Sequence, residues 1–319
     1  MKRYGALLLL LSGLMLLLAS PARAGGTTYF GNPGNYRALL DQLVAGDTLQ
    51  LEAGDYLSGL PIDEMHGTAA APIIIRGPAS GPRARFLARS CCNTVSFGDA
   101  SYIRIFNLEL DGQGLANVDA VKAESTGAFT HDIWLENLYI HDHDANQQTV
   151  GISTKAPAWN WTIRRNIIDS AGTGLYLGDS NGDAPFVNGL IEGNLIVDTI
   201  GYNMQVKHQN PRPNLPGMPT TGRTIIRHNV FSKANNASTG GDARPNLLVG
   251  HWPLSGNGQN DVYEIYGNFF YQNPTPEALF QGEGNVALYN NLFVATTGDA
   301  IAIQAHNDVP REVRVFLNT

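Results

Sequence analysis

Ile163-Arg-Arg-Asn166-Ile-Ile168 is followed, 28 residues on, by Ile191-Glu-Gly-Asn194-Leu-Ile196. The same frame returns as Ile226-Arg-His-Asn229-Val-Phe231, Ile265-Tyr-Gly-Asn268-Phe-Phe270 and Leu288-Tyr-Asn-Asn291-Leu-Phe293. Trp134-Leu-Glu-Asn137-Leu-Tyr139 stands before these copies and Val315-Phe-Leu-Asn318 after them. From Asn137 onward the asparagines are 29, 28, 35, 39, 23 and 27 residues apart, and Asn107 is a less regular copy 30 residues before Asn137. A unit of this length, repeated in one frame, is one turn of a solenoid whose apolar side is buried only by its neighbours. Apolar positions alternate with outward ones along each short strand. An Asn at one turn of every rung can bond the rungs on either side, and it tolerates the left-handed backbone of such turns.

The rest of the chain fits many short strands. Glycine is abundant at 35 residues, charged residues are only 15%, and no long amphipathic helical pattern appears after Asn35–Leu43. At the N-terminus, Lys2 and Arg3 precede the apolar run from Ala6 to Leu18, and Ala22-Arg23-Ala24 forms a small-x-small site. This predicts a signal peptide, residues 1–24, cleaved after Ala24, and hence a secreted or periplasmic protein. The run is shorter than the ~20 residues of a spanning helix, so no membrane span is expected. A net charge of −7 argues against nucleic acid as partner. Cys91 and Cys92, the only cysteines, read as packed small residues, because neighbours seldom form a disulfide.

The pattern over Thr27–Thr319 resembles the right-handed β-helix families that include pectate lyase-like proteins, alginate and chondroitin lyases and mannuronan epimerases. Asn35–Leu43 resembles the helix that caps such solenoids. Gly46-Asp-Thr-Leu-Gln-Leu51 with Ala53-Gly-Asp-Tyr56 resembles their opening rung, and Pro72-Ile-Ile-Ile-Arg76 the next strand. The expected fold is therefore all-β: a single-stranded right-handed parallel β-helix over residues 25–319 with an N-terminal capping helix. The chain stops one residue after Asn318, partway through a rung, so it is expected to be a C-terminal truncation or to be capped by a partner.

A second strand aligns across the rungs, with copies beginning at Ala120, Gly151, Gly174, Asn203, Asn246, Ala278 and Ala300. Its first outward column reads Lys122, Ser153, Tyr176, Gln205, Leu248, Phe280, Ala302, with Gln281 as a polar exception inside. Its second reads Glu124, Lys155, Gly178, Lys207, Gly250, Gly282, Gln304. The next position gives Asp179, His208, His251 and Glu283 on four consecutive rungs, at ~4.8 Å steps. The longest insertions, His208–Gly222 and His251–Asp261, flank this face, as does the Asn/Gly/Ser-rich stretch ending at Arg244. Loops on a rigid scaffold usually carry function.

The chemistry expected here is that of an extended acidic polysaccharide. Lyases of the resembled fold take the C5 proton of a uronic acid, neutralise its carboxylate and protonate the leaving O4. Lys207 is the first candidate base, with His208, His251 and Lys155 as further acid–base candidates. Lys155 has Glu124 one rung away as a pairing partner. Arg212, Arg223 and Arg244 could meet the carboxylate. Tyr176, Trp252, Asp179 and Glu283 complete the expected binding set. His141-Asp-His-Asp144 resembles the Asp-Pro-His-Asp signature of mannuronan epimerases but lacks the proline, and local turn bonding by Asp explains it better. Ser238-Thr-Gly-Gly-Asp-Ala leaves calcium open through oxygen ligands, although the acidic cluster of calcium-dependent pectate lyases is largely missing. The function expected is a monomeric polysaccharide lyase or C5-epimerase; the alternative is a non-catalytic glycan binder. A glycoside hydrolase ranks last, since Asp179 and Glu283 lie roughly 14 Å apart by rung count.

Overall fold

The computed structural model describes residues 25–124 and 129–319. The leader expected over residues 1–24 lies outside them. Every strand pair is parallel, and the strands form an eleven-stranded sheet, two nine-stranded sheets and a short four-stranded one. A single rung shows the path. It runs through Val150–Thr154, Ala158–Trp159, Thr162–Arg164 and Ile167–Ala171, then a loop returns it to Thr173–Leu177, which pairs with Val150–Thr154. This is the expected parallel β-helix. Among the described residues no helix is long and apolar enough to cross a membrane.

The cap is shorter than the sequence pattern. The helix is Tyr36–Leu40, with Tyr36 and Leu40 buried against the first rungs. Gln42 and Leu43 continue it only by three-residue bonds to the carbonyls of Leu39 and Leu40. Inside, like side chains stack in columns, such as Val95, Val121, Ile152, Leu175, Met204 and Leu247 along one sheet, all essentially buried.

The asparagine ladder is real but begins later than the sequence suggests. Asn166, Asn194, Asn229, Asn268 and Asn291 are buried. In each, the side-chain amide and the backbone N–H both donate to the Oδ1 of the next ladder Asn, ending on Asn318, at 2.9–3.0 Å. The same amide also reaches a carbonyl on the preceding rung. The left-handed residue is not the ladder Asn but the one before it: Arg165, Gly193, His228, Gly267, Asn290 and Leu317 have φ of 53–66°. Asn107 and Asn137 are one position out of this frame and take the left-handed conformation themselves. Leu138 occupies the ladder position there, its N–H donating to Asn166. Asn137 instead pairs outside the core with Asn107.

This difference predicts unequal mutational costs. Asn229→Ala strands two buried donors of Asn194 and the Ile191 carbonyl, and is expected to cost on the order of 3 kcal/mol. Asn137→Ala, at an exposed site, loses only outer hydrogen bonds and the tolerance of Asn for a left-handed backbone, and should cost about 1 kcal/mol. Urea midpoints at constant slope measure both.

Candidate functional site

The second nine-stranded sheet, from Leu60–Asp63 to Ile301–Ile303, carries the face that the sequence singles out. Its register places Lys122, Ser153, Tyr176, Gln205 and Leu248 in one outward column, as read from the sequence. The next member is Gln281, not Phe280, because Leu247 pairs with Phe280 and Leu248 with Gln281. Phe280 is fully buried: a large apolar ring gains more inside than a Gln, and a one-residue slip turns the whole strand over. The slip also moves Glu283 out of the Asp179–His208–His251 column and beside Gly250. Both Gly250 and Glu283 follow directly on strands that end at Val249 and Gly282.

Lys155 and Lys207 stand in the second column with Gly178 between them. Gly178 has φ +93°, and a Cβ there would lie 3.1 Å from that of Lys207, so both backbone and space call for glycine. Tyr176 lies under the two amines. Lys155 Nζ is 3.4 Å from its ring centroid and Lys207 Nζ 5.7 Å. The expected pairing of Lys155 with Glu124 is not made; Glu124 accepts instead from the Asn93 amide. Asp119, mostly buried, accepts the Val150 N–H and lies 3.8 Å from Lys122 Nζ.

Opposite stands a wall built by residues 233–246. Gln147 Nε2 donates to the Asp242 carbonyl at 3.0 Å, latching this wall to a loop nearly a hundred residues earlier. Arg244 Nη1 donates to the Gly241 and Ala243 carbonyls, and its guanidinium lies 6.0 Å from the Tyr202 ring. Between face and wall run two adjoining cavities of about 240 and 530 Å³ that share Gln148, Tyr176, Tyr202 and Arg244. Lys122 and Lys155 line the smaller, Lys207 and Gln281 the larger. Three of the five lysines of a chain with net charge −7 thus line one groove.

Burial sets the titration of these groups. It draws the Lys155 amine down to about 8, against the pull of Asp119 and with the repulsion of Lys122 and Lys207. The Tyr176 ring favours the ammonium, so the free amine is a minor form at pH 7 that grows with pH. Burial also lowers Lys207, opposed by Asp179. It raises the phenols of Tyr176 and Tyr202, which stay neutral. The Tyr176 hydroxyl is bonded to Ser180.

Other candidates lie elsewhere. Arg212 is buried in an ion pair with Asp261 at 2.6 Å and does not reach the groove. Arg223 starts the strand Arg223–Arg227 of the eleven-stranded sheet and pairs with Glu264. Trp252 is buried and stacks on Tyr263 at 4.2 Å. Glu283 is buried and accepts the backbone N–H groups of His306, Asn307 and Asp308, so it shapes a loop. Asp179 accepts the Ala184 N–H and closes a turn beside Lys207. His208 and His251 are neighbours, 5.4 Å between ring centroids, but they line a separate pocket with Pro211 and Leu254. His251 Nδ1 donates to the Trp252 carbonyl, and burial lowers the pKa of His208.

Cys91 and Cys92 are joined in a disulfide on an exposed turn, correcting their reading as packed small residues. In the stretch His141–Asp144, Asp142 has φ +56° and binds His141, while His143 is buried on the Val118 carbonyl. Asp111, His141 and Asp142 are the one group of three such side chains that converge among the described residues, and they belong to the other nine-stranded sheet.

No family model and no curated protein matches the sequence. Solved structures do match. The PL6 family alginate lyase AlyGC superposes with a TM-score of 0.64 at 12% identity, over 93% of this chain and 40% of that one. This chain therefore spans less than half the length of AlyGC. A GH136 lacto-N-biosidase from Eubacterium ramulus gives 0.54 at 15%, covering 92% and 68%. An alginate lyase from Paenibacillus sp. gives 0.52 at 13%, covering 92% and 99%. At these identities the likeness shows the fold: a right-handed parallel β-helix.

Proposed function

We propose that the groove binds a uronate-containing polysaccharide and cleaves it by β-elimination. The observation that carries this is the convergence of Lys122, Lys155, Lys207 and Arg244 on one tyrosine-lined groove in an acidic chain. Neutral glycans gain nothing from four cations; a carboxylate on each sugar does. The sugar rings stack on Tyr202, since the amines of Lys155 and Lys207 cover the Tyr176 ring. Lys207 and Arg244 hold the carboxylate of the reacting uronate and disperse the charge that develops on it. The free amine of Lys155 takes the C5 proton, the C4–C5 double bond forms, and the bond from C4 to the glycosidic oxygen breaks as that oxygen takes a proton from solvent. Alginate lyases with this fold support the assignment.

Lys155 is preferred to Lys207 as base because burial draws its amine further down, and because Glu124, its neighbour one rung away, is taken up by the Asn93 amide. The sign follows. A base must be free, so the rate of elimination should climb as pH rises through about 8 and fall tenfold per unit well below it. A flat profile between pH 6 and 9 would remove Lys155 from this role. Carboxylate recognition is tested by affinity electrophoresis through polymannuronate, polygalacturonate and their carboxyl-reduced forms. Retardation by the acidic polymers alone supports the reading, and equal retardation by the reduced ones contradicts it.

A further inference from the structure

Lys233 is the fourth lysine of this region and the only one that is fully buried. Its ammonium sits behind the groove wall, where Nζ donates to the backbone carbonyl of Arg244 at 2.8 Å. Asn273 Nδ2 donates to the same oxygen at 2.9 Å, so both lone pairs of that carbonyl are held. No salt bridge to a carboxylate is found for Lys233 among the described residues; Glu277, which lines the larger cavity, is the opposite charge that acts on it. Burying an ammonium on a neutral acceptor is a poor way to stabilise a fold, since an apolar side chain would fill the space without desolvating a charge. Burial accordingly draws this amine down to about 7.

The carbonyl that Lys233 grips belongs to the one arginine of the groove. The segment just before it has little regular structure, with a short 3-10 turn at Gly240–Asp242. Arg244 Nη1 is spent on two carbonyls of its own turn, so the direction of the guanidinium follows the backbone at that residue. We propose that Lys233 is a positioning residue: through the Arg244 carbonyl it fixes the wall so that the Arg244 guanidinium meets the substrate carboxylate. This rests on the reading of the groove as a polyuronate site.

A double-mutant cycle on the intact chain tests it, with Lys233→Met and Arg244→Ala, read as kcat/KM for elimination and as Kd for a polymannuronate oligomer. If Lys233 acts through Arg244, Lys233→Met lowers kcat/KM and raises Kd by roughly tenfold or more in the wild-type background and changes nothing further when Arg244 is already Ala. A general structural role would lower the urea midpoint and reduce activity by the same factor in both backgrounds, and that result overturns the proposal. Should Lys233→Met fail to fold, Asn273→Ala removes the other donor to the same carbonyl and is held to the same two outcomes. A wild-type protein that binds the oligomer without cleaving it refutes the elimination reaction but leaves the cycle readable in Kd. The oligomer is replaced by one of polygalacturonate, chondroitin sulfate or heparan sulfate if polymannuronate is not bound, and a wild-type protein that binds none of the four overturns both.

Discussion

Lys155→Arg is expected to lower the rate of elimination by roughly 10²–10⁴-fold while leaving polyuronate binding close to that of the wild type. Arginine keeps the positive charge and a cation to set on the Tyr176 ring, but it does not give up its proton at any working pH. The substitution thus separates the two things a lysine can do in this groove, attract a carboxylate and accept a proton. Lys207→Arg should behave differently. A carboxylate holder tolerates a guanidinium, so a modest change in KM is expected with the pH profile preserved. If the two variants exchange these phenotypes, Lys207 is the base and Lys155 the holder, as the sequence alone would favour. Kinetics across pH 6–10 on one polymer distinguish the cases.

Arg212→Ala is expected to cost about 3–5 kcal/mol of stability. Arg212 and Asp261 are both buried, joined at 2.6 Å, and Asp261 also accepts the Gly222 N–H while Arg212 donates to the Pro219 carbonyl. The pair therefore ties the two longest insertions, His208–Gly222 and His251–Asp261, to one another. Truncating the arginine strands a buried carboxylate, which is the expensive way to break such a pair. Because neither residue lines the groove, the folded fraction should keep its affinity for polyuronate. Urea denaturation gives the first number, and binding at low temperature checks the second.

That pair also shows where sequence reading fails. An arginine in a long, proline-rich loop looks like a substrate ligand, and its burial partner lies 49 residues away where no local pattern points to it. The parallel β-helix was legible because its cause is local and repeated. Each rung carries the same apolar alternation, and each ladder Asn meets the next in a frame the eye can count. Asn137 and Phe280 mark the limits of counting. At Asn137 the consensus is intact but Leu138 fills the interior, and at Phe280 a ring outcompetes the frame set by the neighbouring strands. Lys122, Lys155, Tyr176 and Lys207 were readable as columns, since register alone places them. Tyr202 and the wall of Arg244 were harder, because they come from loops whose path depends on distant latches such as Gln147 to Asp242. One signal was present in the composition. In a chain with only five lysines, four fall between residues 122 and 233, and all four serve or adjoin one groove.

The most direct test of the central claim is the ultraviolet absorbance of newly formed unsaturated uronate ends when the purified protein meets alginate, polygalacturonate, chondroitin sulfate and heparan sulfate. A steady rise is expected on at least one of these polymers, faster at pH 8 than at pH 6 and lost in Lys155→Arg. No rise on any of them, under conditions where the polymer is bound, would contradict elimination and leave the groove as an epimerase or binding site.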